Sequence, residues 1–313
     1  MLTVNLARVT TETRLPDHVL PDGRNIWTIW PLDPIILIPL ALIAVFYAAG
    51  LGRWPDRSRE HPWWRTALFY TGLAITALSV ASPLHALAER HFSMHMVQHM
   101  LIIMAGVPLT LLGAPTTPVL RGMPRWLRHG LVRPLSGDPA VRAAFRGLLH
   151  PMTALGLFSV VLWGWHLAPG WYDAATADET LHAVQHFSFT LTSTLFWWNV
   201  ISPAPLHASM SYLLRIVYLV VQGTVQSILA AFITMNPEPL YDYYVRVDKV
   251  FPISVLNDQQ LGGLIMWIAP GSLINLAAIG VLFAIWFAES ERRQQAIETA
   301  DGCLDCGCSR AEG

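Results

Sequence analysis

The sequence predicts an all-α polytopic membrane protein, a bundle of about seven transmembrane helices with its N-terminus outside and its C-terminus in the cytoplasm. The first observation is composition: 313 residues are 53% hydrophobic and 13% charged with a mean hydropathy of +0.42, far more apolar than a soluble domain of this size. The second is a series of apolar windows at 34–51, 63–82, 92–112, 151–167, 181–201, 211–233 and 260–287, each near the length of about 20 residues that crosses a bilayer as a helix. The third is the placing of the basic residues. Of 20 Lys and Arg, 14 fall in one alternating set of connections, at Arg53, Arg57, Arg59 and Arg65, the six Arg of 113–150, Arg215, and Arg292, Arg293 and Arg310. The positive-inside rule puts that set in the cytoplasm.

Taken in order, residues 1–33 carry Asp, Pro and Arg throughout and no apolar h-region, so they read as an external N-terminal arm and not a cleavable signal peptide. Residues 34–287 form the transmembrane domain, where interior Gly and Pro are tolerated. The connection 113–150 includes PRWLRHGLVRPL, either an interfacial helix with Trp126 and Leu127 in anionic lipid or an ordinary positive-inside loop. The loop 235–259, rich in Tyr and Asp, either covers the external mouth of the bundle and docks a partner or is a connector anchored by Tyr241, Tyr243 and Tyr244. Residues 288–313 form a cytoplasmic tail. No internal repeat or low-complexity block is visible.

Seven of the twelve histidines gather at the outer ends of four windows. His85 ends the second, His91, His95 and His99 open the third, His166 ends the fourth, and His182 and His186 open the fifth. Residues four apart share a helix face, so His91, His95 and His99 are expected as one stripe and His182 with His186 as another. A lone membrane histidine is more often a packing residue, but several converging from different helices point to a metal or haem role. Met94, Met96, Met100 and Met104 flank the first stripe, and thioether with imidazole suits copper. Glu89, Asp173, Asp178, Glu179 and Asp258 lie near the same rim, placed to orient ligand imidazoles.

All three cysteines, Cys303, Cys306 and Cys308, fall in CLDCGC. In the cytoplasm they are expected reduced, so the tail reads either as a mobile thiolate capture site for Cu(I) or Zn(II) or as a dispensable end. The charged run ESERRQQAIETADG ahead of them holds too little apolar surface to fold alone.

The runs HFSMHMVQHMLI, HPMTALGLFSVVLWGWHLAPGWYDAA, LHAVQHFSFTLTSTLFWW and NDQQLGGLIMWIAPGSL resemble the CtaG-type family of cytochrome c oxidase assembly factors, multi-pass bacterial membrane proteins. The resemblance spans about 91–287 and rests on several motifs in the same order. It places the family's Met-x-Gln-His motif on Met96, Gln98 and His99, its Trp-His pair on Trp165 and His166, its paired histidines on His182 and His186, and its Asp-Gln-Gln segment on Asp258, Gln259 and Gln260. It implies a role in maturing a haem-copper oxidase by handling copper in the bacterial inner membrane, with oxidase subunits and other copper chaperones as partners. The candidate metal ligands are His95, His99, His166, His182, His186 and Met96, with Cys303, Cys306 and Cys308 in the tail, which lies outside the resemblance and rests on thiolate chemistry alone.

Two other readings fit the histidines: a haem-binding cytochrome with two axial imidazoles, and a proton-coupled transporter, the latter weakened by the scarcity of acids within the windows. A rhodopsin-like pigment is excluded because the only lysine, Lys249, lies in a loop. With no Gly-x-Ser-x-Gly elbow, His-Glu-x-x-His helix or phosphate-binding loop, no enzymatic activity is expected. The formal net charge of −1 says nothing by itself about partners, and no nucleic acid is expected among them.

Overall fold

The computed structural model of the chain describes residues 25–31, 34–55, 61–203, 210–268 and 270–305. Among them every regular element is a helix. These are α1 (Pro34–Gly52), α2 (Trp63–Val80), α3 (Pro83–Ala88), α4 (Phe92–Leu112) and α5 (Thr116–Gly122). The consecutive turns Arg125–Leu127, Arg128–Val132 and Arg133–Gly137 make α6, followed by α7 (Pro139–Leu148), α8 (Pro151–Leu167), α9 (Trp171–Ala177) and α10 (Glu179–Ile201). The chain closes with α11 (Tyr212–Met235), α12 (Asp242–Arg246), α13 (Val255–Trp267) and α14 (Pro270–Asp305).

The apolar windows locate α1, α2, α4, α8, α10 and α11 to within two residues at either end. Of these helices, α4 and α11 are long and apolar enough to cross a membrane, and the pair α7 and α8, bent by 64°, brings the number to three if it makes one span. The seventh window is corrected: 260–287 is broken between α13 and α14. Pro270 has no N–H to return to the Met266 carbonyl four residues back, and that carbonyl instead receives Gln226 Nε2 at 3.3 Å. The helix then runs on through the charged run to Asp305, with Glu289 and Arg293 paired one turn apart at 3.8 Å. The run, expected not to fold alone, is helical here as the continuation of the apolar helix that precedes it. Cys303 lies in the last turn, while Cys306 and Cys308 lie outside the described residues.

The Arg-rich connection is helical, not looped, and its residues are largely exposed, Trp126 by 74%. Asp138 caps α7 by accepting from the N–H groups of Ala140 and Val141, with Pro139 at the first helical position. At the same end of the molecule α1 crosses α5 with backbones in contact, because Gly50 faces the Pro118 carbonyl and Gly122 faces that of Phe46. Arg53 closes the crossing by donating to the carbonyls of Arg121 and Gly122, the free acceptors at the end of α5. Of the N-terminal arm, residues 1–24 lie outside the described part, and Ile26 packs on Ala86 and Leu87 of α3.

Helix α4 is the centre of the fold, packed against α2, α3, α10 and α13. Its middle turn, Leu101–Gly106, is π-helical. Val107 N–H bonds the Ile102 carbonyl five residues back; Pro108 has no N–H to continue the pattern, so the Ile103 carbonyl takes Trp197 Nε1 from α10 at 2.9 Å. This bond pins α10, and with it His182 and His186, beside the histidines of α4.

Candidate metal centre

His95, His99 and His186 each offer one ring nitrogen within 4.8 Å of the other two, and all three rings are buried. His95 and His99 share a face of α4 and His186 comes across from α10. Ring centroids are 4.3 Å apart for His95 and His99 and 5.1 Å for His99 and His186. His166, near the end of α8, faces His99 with centroids 6.3 Å apart. His182, one turn before His186, sets its Nε2 at 3.2 Å from His95 Nε2. The five imidazoles predicted as ligands thus lie in one buried group drawn from three helices.

Hydrogen bonds fix which nitrogens point inward. His166 Nδ1 donates to the Leu162 carbonyl at 2.7 Å, which leaves Nε2 with its lone pair and no partner among the described residues. His95 Nδ1 lies 2.9 Å from the Tyr244 hydroxyl and 2.8 Å from that of Tyr172. Tyr244 commits its hydrogen to the Ala88 carbonyl at 3.0 Å, and with both hydroxyls at Nδ1 the His95 ring turns Nε2 toward His182. Both nitrogens of His99 and Nε2 of His186 are buried with no hydrogen-bond partner among the described residues. Several buried imidazole nitrogens directed at one another without donors are costly as they stand, and an ion held by their lone pairs removes that cost. The donor set fits a copper or zinc ion, whose usual ligands include imidazole. Second partners on His95 and His166 are the arrangement that orients metal-bound imidazoles.

His91 does not join this group. It sits in extended backbone, φ −133° and ψ 123°, at the position preceding α4, so the helical spacing that relates His95 to His99 does not reach it. Its Nε2 accepts from the backbone N–H groups of Val250 and Phe251 at 3.0 and 3.2 Å, and its Nδ1 faces Asp258 at 3.6 Å. The predicted three-histidine stripe is therefore two histidines and a loop anchor. The methionines also have other surroundings. Met96 lies with Phe92 against Gly262 of α13, where only a glycine leaves room for them, and Met100 Sδ takes Gln226 Nε2 at 3.6 Å. Met94 packs beside Ile26, Ala86 and Leu87.

The acids near the histidines work as orienting groups, though not all on histidines. Asp258 is fully buried and accepts from Phe92 N–H at 2.9 Å, Ser93 N–H at 3.2 Å, the Ser93 hydroxyl and Lys249 Nζ at 2.8 Å. A carboxylate on α13 thus caps α4, taking two of its free amide donors. Asp173 accepts from Tyr243 N–H at 2.9 Å, and Glu89 pairs with His85 at 3.8 Å. Loop 235–259 is thereby held over the histidines: Tyr244 reaches His95, and Tyr241 donates to the His166 carbonyl at 3.3 Å and stacks on Phe92. Burial raises the pKa values of Tyr172, Tyr241 and Tyr244 above the ordinary phenol range, so their hydroxyls stay protonated. Tyr172 was missed by spacing arguments; its only sequence signal is the WYD run just after the Trp165-His166 pair.

Three comparisons bear on identity. The chain is 28% identical over 288 residues to uncharacterized proteins of Mycobacterium bovis and Mycobacterium tuberculosis, covering 87% of this chain and 41% of each relative. An uncharacterized protein of Mycobacterium leprae is 27% identical over 293 residues, covering 88% of this chain and 42% of its own length. The chain therefore spans less than half the length of these curated relatives. No solved structure gives a significant match. The model of the cytochrome c oxidase caa3 assembly factor family (Caa3_CtaG) matches residues 45–289, a stretch that holds the whole histidine group, and the chain belongs to that family.

Proposed function

We propose that the protein assists assembly of a haem-copper cytochrome c oxidase by binding copper at the His95, His99, His186 centre, with His166 and His182 at its edges, and by aiding delivery of that copper to an oxidase subunit. The observation that carries the reading is the set of buried imidazole nitrogens, without hydrogen-bond partners among the described residues, that converge from α4, α8 and α10 in a chain of this family. Copper here is cargo, and the donor set supports binding without requiring redox chemistry by the protein. The setting we infer is the bacterial inner membrane, crossed several times, with the centre in the outer half and the C-terminus cytoplasmic; the apolar windows of the sequence, two or three of which become helices long and apolar enough to cross, and the Arg distribution support it. Oxidase subunits and other copper chaperones are the partners, and Cys303, Cys306 and Cys308 supply thiolates suited to collecting Cu(I).

Metal analysis of detergent-purified protein tests this directly. His99→Ala and His186→Ala are expected to weaken copper binding by at least about tenfold and to lower oxidase maturation, while folded protein remains abundant. Full copper occupancy in the double variant refutes the centre. A Soret band in the native protein, in place of bound copper, redirects the histidines to haem ligation.

A further inference from the structure

Outside the inner group, a second line of side chains connects the centre to solvent. Glu89 ends α3 with its side chain 46% exposed, and His85, one turn earlier on the same face, is 21% exposed. Glu89 Oε1 lies 3.8 Å from His85 Nε2. Gln98 Nε2 donates to both the Ser79 carbonyl at 2.8 Å and His85 Nδ1 at 3.1 Å, which sets the ring with Nε2 toward the acid. The His85 ring lies nearly parallel to that of His182, with centroids 5.3 Å apart and planes at 20°. His182 is 8% exposed and hands on to His95, 0% exposed, across the 3.2 Å gap between their Nε2 atoms. That gap matches the edge of a tetrahedron whose metal–imidazole bonds are about 2.0 Å, roughly 3.3 Å.

We propose that Glu89, His85 and His182 form the loading route by which a transition-metal cation reaches the buried histidine centre. The proposal rests on the reading of that centre as a copper site and adds how the ion arrives. The gradient of exposure orders the steps. The Glu89 carboxylate draws a hydrated cation, of which Cu(II) is the probe, because a surface carboxylate raises the local concentration of positive ions. His85 takes the ion through Nε2 as its ring proton passes by way of water to Nδ1, where the Gln98 amide turns over so that Oε1, in place of Nε2, faces the new N–H and accepts from it. The ion then moves to His182 and to the nitrogen pair of His182 and His95, so a nitrogen replaces each water it loses before it enters the apolar interior. The mixed carboxylate and imidazole donors at the rim hold the ion less tightly than the all-imidazole centre, which sets the direction.

The test is stopped-flow quenching of tryptophan fluorescence by Cu(II) with detergent-purified full-length protein, alongside copper release to a chelator. Glu89→Gln and His85→Gln are expected to slow loading and release together, each roughly tenfold, with the dissociation constant changed less than about threefold. Unchanged rates in both variants overturn the route while leaving the centre standing. Should His85→Gln fail to fold, Glu89→Gln at the half-exposed rim decides the matter alone. Absence of bound copper in the native chain overturns the parent reading, and the route with it.

Discussion

Asp258 offers the sharpest test of the architecture that holds the centre, because its partners come from two other segments, the start of α4 and the loop that carries Lys249. The fully buried carboxylate accepts two amide hydrogens that begin α4, the Ser93 hydroxyl, and Lys249, whose side chain is 13% exposed. In Asp258→Ala the ammonium loses its counter-charge and two helix N–H groups lose their acceptor. Removing one partner of a buried pair costs about 3–5 kcal/mol, and each stranded donor about 1–3 kcal/mol if it cannot find water. Because Lys249 is partly exposed and can swing to solvent, the total should sit near the pair value, about 3–5 kcal/mol. Denaturation of the full chain in detergent, followed by tryptophan fluorescence, measures it. The double variant Asp258→Ala, Lys249→Met should be more stable than the sum of the single effects by about 1–3 kcal/mol, since no charge is then left stranded. Limited proteolysis should cut loop 235–259 faster in the single variant. A loss of less than about 0.5 kcal/mol, or strict additivity in the cycle, refutes the argument that this carboxylate fastens the loop to α4.

Two further outcomes follow from the same geometry and from the charge pattern. Tyr172→Phe with Tyr244→Phe strips both hydroxyls from His95 Nδ1 and should weaken copper binding by about 10–100-fold in a chelator competition, with each single change giving less because the other phenol remains at 2.8 or 2.9 Å; unaltered affinity in the double variant removes the tyrosines from the centre. Reporter fusions after Arg146 and at the C-terminus should report cytoplasm and fusions near Ala175 and Asp248 the outside, and an externally active C-terminal fusion reverses the inferred topology.

What the sequence determined by itself was local or repetitive. Apolar windows fixed six helices to within two residues because each needs only a run of apolar side chains, and an i,i+4 spacing aligned His95 with His99 and His182 with His186 because helical geometry alone relates them. The motifs also indicated the family, since order along the chain is a sequence property. Tertiary structure decided the rest. His91 has the same spacing as its neighbours yet stands outside the helix, where Asp258 from 167 residues later starts α4 in its place. The break at Pro270 shows one rule in competition with another: hydropathy runs through 260–287, but a residue without an N–H ends the backbone ladder there. Tyr172 and Tyr244 reach one nitrogen of His95 from two different connections, and no pattern in either connection encodes that meeting. Periodicity specifies which side chains share a face; only the packing of α4 against α10 and α13 specifies what each face meets, because those contacts join residues far apart along the chain.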